Sequence, residues 1–144
     1  MSLLTILKES ECSCDECKSM CRRPCWGTPN EIRKIIDAGF GDRLMVDYWC
    51  NTMFDDIEIL CGALKGYEGK AAPFIPVSDS GCSFFKNGLC ELHDEKLKPC
   101  EGRLSVCTSN GDDIDGLHKE VAMMWDSEEG RELVKGWRDK YERR

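Results

Sequence analysis

Histidine is scarce in this chain: only His93 and His118 stand among 144 residues. A catalytic zinc keeps an open position and usually counts histidine or carboxylate among its ligands, so the scarcity weighs against such a centre. There is no His-Glu-x-x-His pair, no Gly-x-Gly-x-x-Gly nucleotide loop, no phosphate-binding Gly-Lys-Ser/Thr and no Cys-x3-Cys-x2-Cys radical motif. The enzyme classes those motifs serve lose their sequence grounds. No apolar run approaches the ~20 residues of a membrane span. The opening MSLLTILKESEC has no basic region before its short apolar run and no small-residue cleavage pattern after it, so no secretory leader or membrane anchor is expected. Basic residues number 20 against 27 acidic, a formal charge of −7, and no basic run is longer than the pair Arg22-Arg23. A nucleic-acid surface is therefore not expected.

Cysteine, by contrast, is abundant, with eleven in the chain. The expected compartment is the cytoplasm, where thiols stay reduced and dense cysteines hold metal or do catalysis. An odd count also sits poorly with a closed disulfide framework. Five of the eleven lie in ECSCDECKSMCRRPC, residues 11–25, and Cys14, Cys17, Cys21 and Cys25 are spaced three, four and four apart. That is the rhythm of one helix face, but a straight helix would string those four over roughly 16 Å. Zinc holds each sulfur at about 2.3 Å, so such a helix cannot wrap all four around one ion. Pro24 also interrupts a continuous helix. Either the segment bends around one centre, or its parts serve different centres or the core. Thiol redox chemistry at Cys14-Asp15-Glu16-Cys17 is disfavoured, because the acidic spacer raises thiol pKa values and no βαβ pattern surrounds it.

The later half supplies Cys82, Cys90, Cys100 and Cys107. With the first four they could fill two tetrahedral zinc sites or hold iron–sulfur clusters, or Cys14 and Cys17 could join Cys82 and Cys90 in one pooled site. Cys12, Cys50 and Cys61 lack partners at ligand spacing, and Cys50 and Cys61 read as buried small hydrophobes.

The rest of the chain frames these residues. Thr28-Pro29-Asn30-Glu31 is a capping box with proline at the first helical position, followed by the stripe Ile32, Ile35 and Ile36 and the stop Gly39. A helix is expected over 29–38. Residues 42–50 suit a helix or a buried strand, which periodicity does not separate. Residues 55–77, with glycines and prolines crowding the second half, read as a short strand or loop crossing the surface. Asn87-Gly88 between two apolar runs marks a hairpin. A two-residue loop pairs Phe85 with Cys90, whereas a three-residue loop pairs Phe84 with Cys90 and sets Cys82 and Cys90 on one face. Chelation by both favours the longer turn. Asp112 or Asp113 can cap a helix facing inward with Ile114, Leu117, Val121, Met124 and Trp125. Ser127 can cap another, with Leu133, Val134, Trp137 and Tyr141 inward. His93 reads as a surface histidine at the hairpin's end and His118 as solvent-facing.

The fold class expected is α+β: a small, mainly helical single domain with a short β-hairpin, cross-linked by cysteine-ligated metal. One domain is expected over 1–144, with a cysteine-rich core over 12–107 and C-terminal helices over 112–143.

Cys14-x2-Cys17-x3-Cys21-x3-Cys25, the TPNEI helix start and GCSFFKNGLCELHDEKLKPC together resemble the YkgJ-type cysteine-cluster family, described as zinc- or iron-chelating with a CxxCxxCC motif. The resemblance covers about residues 12 to 107. Cys14, Cys17, Cys82, Cys90 and Cys100 match the family order most directly, with Lys98-Pro99 in its basic-proline place. This chain departs in lacking an adjacent cysteine pair and in having Glu101 where members often place arginine, which leaves Cys21, Cys25 and Cys107 less directly matched. The resemblance implies chelation of a metal or cluster and supplies no reaction. Related segments in proteins resembling flagellin lysine methylases make a redox or protein-modification enzyme with an iron–sulfur centre the competing expectation. The expected partner is a metal ion, with no nucleic acid and no membrane.

Overall fold

A computed structural model describes residues 25–49, 57–72, 81–86, 89–94, 97, 99–100 and 111–143, with the backbone alone at 85–86, 89–90, 93–94 and 111–114. The fold is α+β. Helix α1, Pro29–Ile35, begins with the expected capping box: Thr28 Oγ1 accepts from the Glu31 amide at 3.2 Å and Glu31 Oε1 accepts from the Thr28 amide at 3.0 Å. Two orphan amides of the first turn are satisfied in this way. Beyond Ile35 the expected helix widens into a π turn, Ile36–Phe40, in which Gly39 takes φ 98°. Only glycine adopts that angle at no steric cost, so Gly39 acts as the helix stop. Ile32 and Ile35 are fully buried.

Strand β1, Leu44–Trp49, pairs antiparallel with β2, Ile57–Gly62, from Leu44↔Gly62 to Trp49↔Ile57. Leu44, Met45, Val46 and Asp47 are all buried. A strand covered on both faces shows no alternation, which is why periodicity alone left this stretch open. The expected surface crossing within 55–77 is corrected: Ile59, Leu60 and Cys61 of β2 are fully buried. The glycines that coloured that reading belong to the turn after the strand, where Gly66 and Gly69 take φ 97° and 76°.

Strands β3, Phe85–Lys86, and β4, Leu89–Cys90, form the expected hairpin and lead directly into helix α2, Glu91–Asp94. Its register is Phe85↔Cys90 and Lys86↔Leu89, that of a two-residue connection. This is the shorter of the two registers left open and not the one that chelation by both Cys82 and Cys90 favoured.

Helices α3, Gly111–Trp125, and α4, Glu128–Tyr141, complete the fold. Leu117, Val121, Ala122, Trp125, Val134 and Trp137 are buried, Leu133 and Tyr141 half-buried. Two expectations need correction. Met124 is exposed at 42 %, and His118, expected in solvent, stacks on Trp26. Both follow from one rotation: at 100° per residue the stripe through 117, 121, 122 and 125 contains position 118 and leaves 124 at its margin. On the far side Arg138 of α4 pairs with Glu58 of β2.

Ser127 Oγ caps α4 by accepting from the Gly130 amide at 3.0 Å. A Cβ at Gly130 would lie 2.4 Å from the Trp125 carbonyl oxygen and 2.8 Å from its Cα. These are backbone atoms that cannot rotate away, so Gly130→Ala is expected to cost about 1–3 kcal/mol. At Gly136, on the same helix, a Cβ meets nothing within 4 Å, and Gly136→Ala should stabilise by roughly 0.5–1 kcal/mol. Thermal melts of the two variants should move in opposite directions; a Gly130→Ala protein melting with wild type would contradict the helix–helix corner described.

Candidate metal centre

The segments bearing Cys25 and Cys82 each form a bridge to β2 or to the residues just after it. Cys61 pairs with Met45 of β1 on one side and forms an antiparallel bridge with Trp26 on the other. Farther along the same chain, Leu64 bridges Cys82, whose neighbours are both tied down: the Lys65 amide donates to Gly81 O at 3.1 Å and the Ser83 amide to Ala63 O at 2.6 Å. Residues directly opposed across strands share a face, as do positions 62 and 64. Cys82, opposite Leu64, therefore lies on the face of Gly62.

Gly62 is the floor beneath the Cys82 thiol. A Cβ there would stand 2.9 Å from Cys82 Sγ and 3.1 Å from the Phe84 ring, so the thiol occupies the space a side chain would fill. Arg43 clamps the hairpin over this floor, bonding Ser83 O and Glu91 Oε2 (2.8 Å to the latter), with its guanidinium 4.3 Å above the Phe84 ring.

Cys100 arrives from the other direction. Its thiol points to Trp26 O at 3.8 Å, while the Cys25 thiol points to Pro99 O at 4.0 Å. The two segments, 74 positions apart, thus clasp each other reciprocally. The Cys100 amide donates to Glu31 Oε1 at 3.2 Å.

The segment carrying Cys25 is anchored from several sides. Trp26 is 3 % exposed; its Nε1 donates to Asp47 Oδ2 at 3.0 Å, His118 of α3 stacks on its ring at 3.6 Å, and Trp49 meets it edge-on at 6.3 Å. Trp125 Nε1 donates to Gly27 O at 2.8 Å. Each buried indole thus finds the acceptor it needs. Asp47, the buried charged residue among those described, also accepts from the Tyr48 amide at 2.8 Å.

Cys25, Cys82 and Cys100 offer only sulfur, the donor that zinc and iron–sulfur clusters favour, and Gly62 leaves room for it. Among the described residues no group of three or more Cys, His, Asp or Glu is placed to hold one ion. Of the other expected ligands, Cys14, Cys17, Cys21 and Cys107 lie outside the described residues, as do Cys12 and Cys50, and Cys90 is described by its backbone, opposite Phe85. Cys61 is the buried core residue expected of it, at 0 % exposure. Sequence reasoning missed Asp47, Glu31's reach to Cys100 and Gly62; a glycine inside a strand is the standing signal of close approach, and it was present.

Among the described residues no helix is long and apolar enough to cross a membrane. The chain matches no family model, no curated protein and no solved structure.

Proposed function

We propose that this chain is a cytoplasmic metal-binding protein, chelating zinc or an iron–sulfur cluster through thiolates of its N-terminal cysteine cluster, its central hairpin and the segment after it. The observation that carries this reading is that Cys25 and Cys100, on segments 74 positions apart, sit where those segments clasp each other next to β2, while Cys82 lies over Gly62 at its edge. Coordination would tie the cysteine-rich opening to that edge, and such binding contributes directly to folding. The chain's own part is to deliver sulfur and to give up protons: thiols that point at carbonyls must ionise before they bind, so loading releases protons and strengthens as pH rises. When bound, zinc would act as a structural clamp and a cluster would add one-electron chemistry.

The test is an anaerobic preparation measured for visible absorbance, iron, sulfide and zinc. Brown protein with stoichiometric iron and sulfide selects the cluster; colourless protein with zinc selects the structural site. A chain that stays folded and metal-free after chelation, with disulfides found by mass spectrometry, overturns both.

A further inference from the structure

We infer that Glu31 is a positioning residue for Cys100, setting the angle at which that sulfur meets the N-terminal segment; this rests on the chelation reading above. Glu31 Oε1 accepts from two amides, Thr28 N at 3.0 Å and Cys100 N at 3.2 Å. The first belongs to the capping box and is accounted for by helix capping alone. The second does nothing for α1. It reaches 69 positions along the chain to the backbone of a cysteine whose thiol lies against Trp26 O.

The surroundings are shaped for that reach. A Cβ at the buried Gly27 would stand 2.9 Å from the Pro99 ring and 3.2 Å from Glu31 Oε1. The missing side chain therefore lets Pro99 and the carboxylate close over the segment from both sides. Fixing an amide nitrogen fixes the Cα beside it, and with it the origin of the sulfur. A carboxylate accepting from backbone N–H groups makes a charge-assisted tether for this purpose. Outer-shell groups that orient metal ligands typically carry 10–100-fold in affinity.

The experiment measures affinity in the full chain for zinc(II), or for ferrous iron with sulfide where the isolated protein is brown, by competition with a chromophoric chelator. Glu31→Ala is expected to weaken binding by about 10–100-fold. Glu31→Gln, whose amide oxygen can accept the same two bonds, should restore it. Thr28→Ala removes the other half of the capping box while leaving the Glu31–Cys100 contact, so it should lower the melting temperature and leave affinity unchanged. Glu31→Ala binding as tightly as wild type overturns the inference, as does Glu31→Gln binding as weakly as Glu31→Ala. Thr28→Ala weakening binding as much as Glu31→Ala also overturns it, because the effect would then belong to the helix. A wild-type chain that holds neither zinc nor iron overturns the chelation reading and takes this inference with it.

Discussion

Replacing Trp26 by alanine is expected to destabilise the fold by about 3–5 kcal/mol, the range for truncating a buried aromatic side chain. Trp26 touches β1, β2 and α3 at once. Its backbone extends the β1–β2 pair through the bridge to Cys61, its ring carries His118 of α3, and its Nε1 satisfies Asp47 of β1. Alanine removes the packing and strands a buried carboxylate oxygen together. Trp26→Phe separates the two losses: it keeps an aromatic ring for His118 and Trp49 but offers Asp47 no donor, a penalty of about 1–3 kcal/mol. In that background Asp47→Leu should recover part of the loss, a coupling expected of residues in direct contact. Urea melts followed by circular dichroism read all three. A Trp26→Ala chain within about 0.5 kcal/mol of wild type, the range of surface substitutions, would contradict the anchoring role.

What the sequence made legible here were features written in short spans. The Thr28–Glu31 capping box, the Ser127 cap, the Asn87-Gly88 hairpin and the buried tryptophans of the last two helices all rest on residues within a few positions of each other. Each of them is found. Where the sequence left β1 open and misplaced His118, the common cause is tertiary covering. β1 shows no alternation because both of its faces are buried, and His118 turns inward because Trp26 offers it a ring. Of the candidate site, cysteine spacing singled out the sulfurs but not what holds them. Asp47 and Glu31 act on partners 21 and 69 positions away, distances at which one sequence carries no pattern. The hairpin is the instructive case: of the two registers left open, the pairing is the one that local turn chemistry favours and not the one that a metal shared by Cys82 and Cys90 would need.

Cys82→Ser should abolish metal retention, and Cys61→Ser should leave it intact although the two thiols flank the same glycine. Cys82 is half-buried, with its thiol over Gly62. Cys61 is fully buried on the other face, in the row with Met45 and Trp26. Serine at 61 places a hydroxyl in an apolar site, costing about 1–3 kcal/mol without touching a proposed ligand. Serine at 82 exchanges a soft thiolate for a hydroxyl that is a poor ligand, so binding energy coupled to folding is lost. At free metal a thousandfold above Kd that coupling is worth about 4 kcal/mol, and more as affinity rises. The two effects are told apart by adding chelator during thermal melts. Wild type and Cys61→Ser should both lose stability, by similar amounts and from different starting points, whereas Cys82→Ser should melt at one temperature with or without chelator. Metal analysis on the purified variants gives the second reading of the same contrast. A Cys61→Ser protein without metal beside a Cys82→Ser protein that keeps it would move the ligand to the other face of β2, and the centre with it.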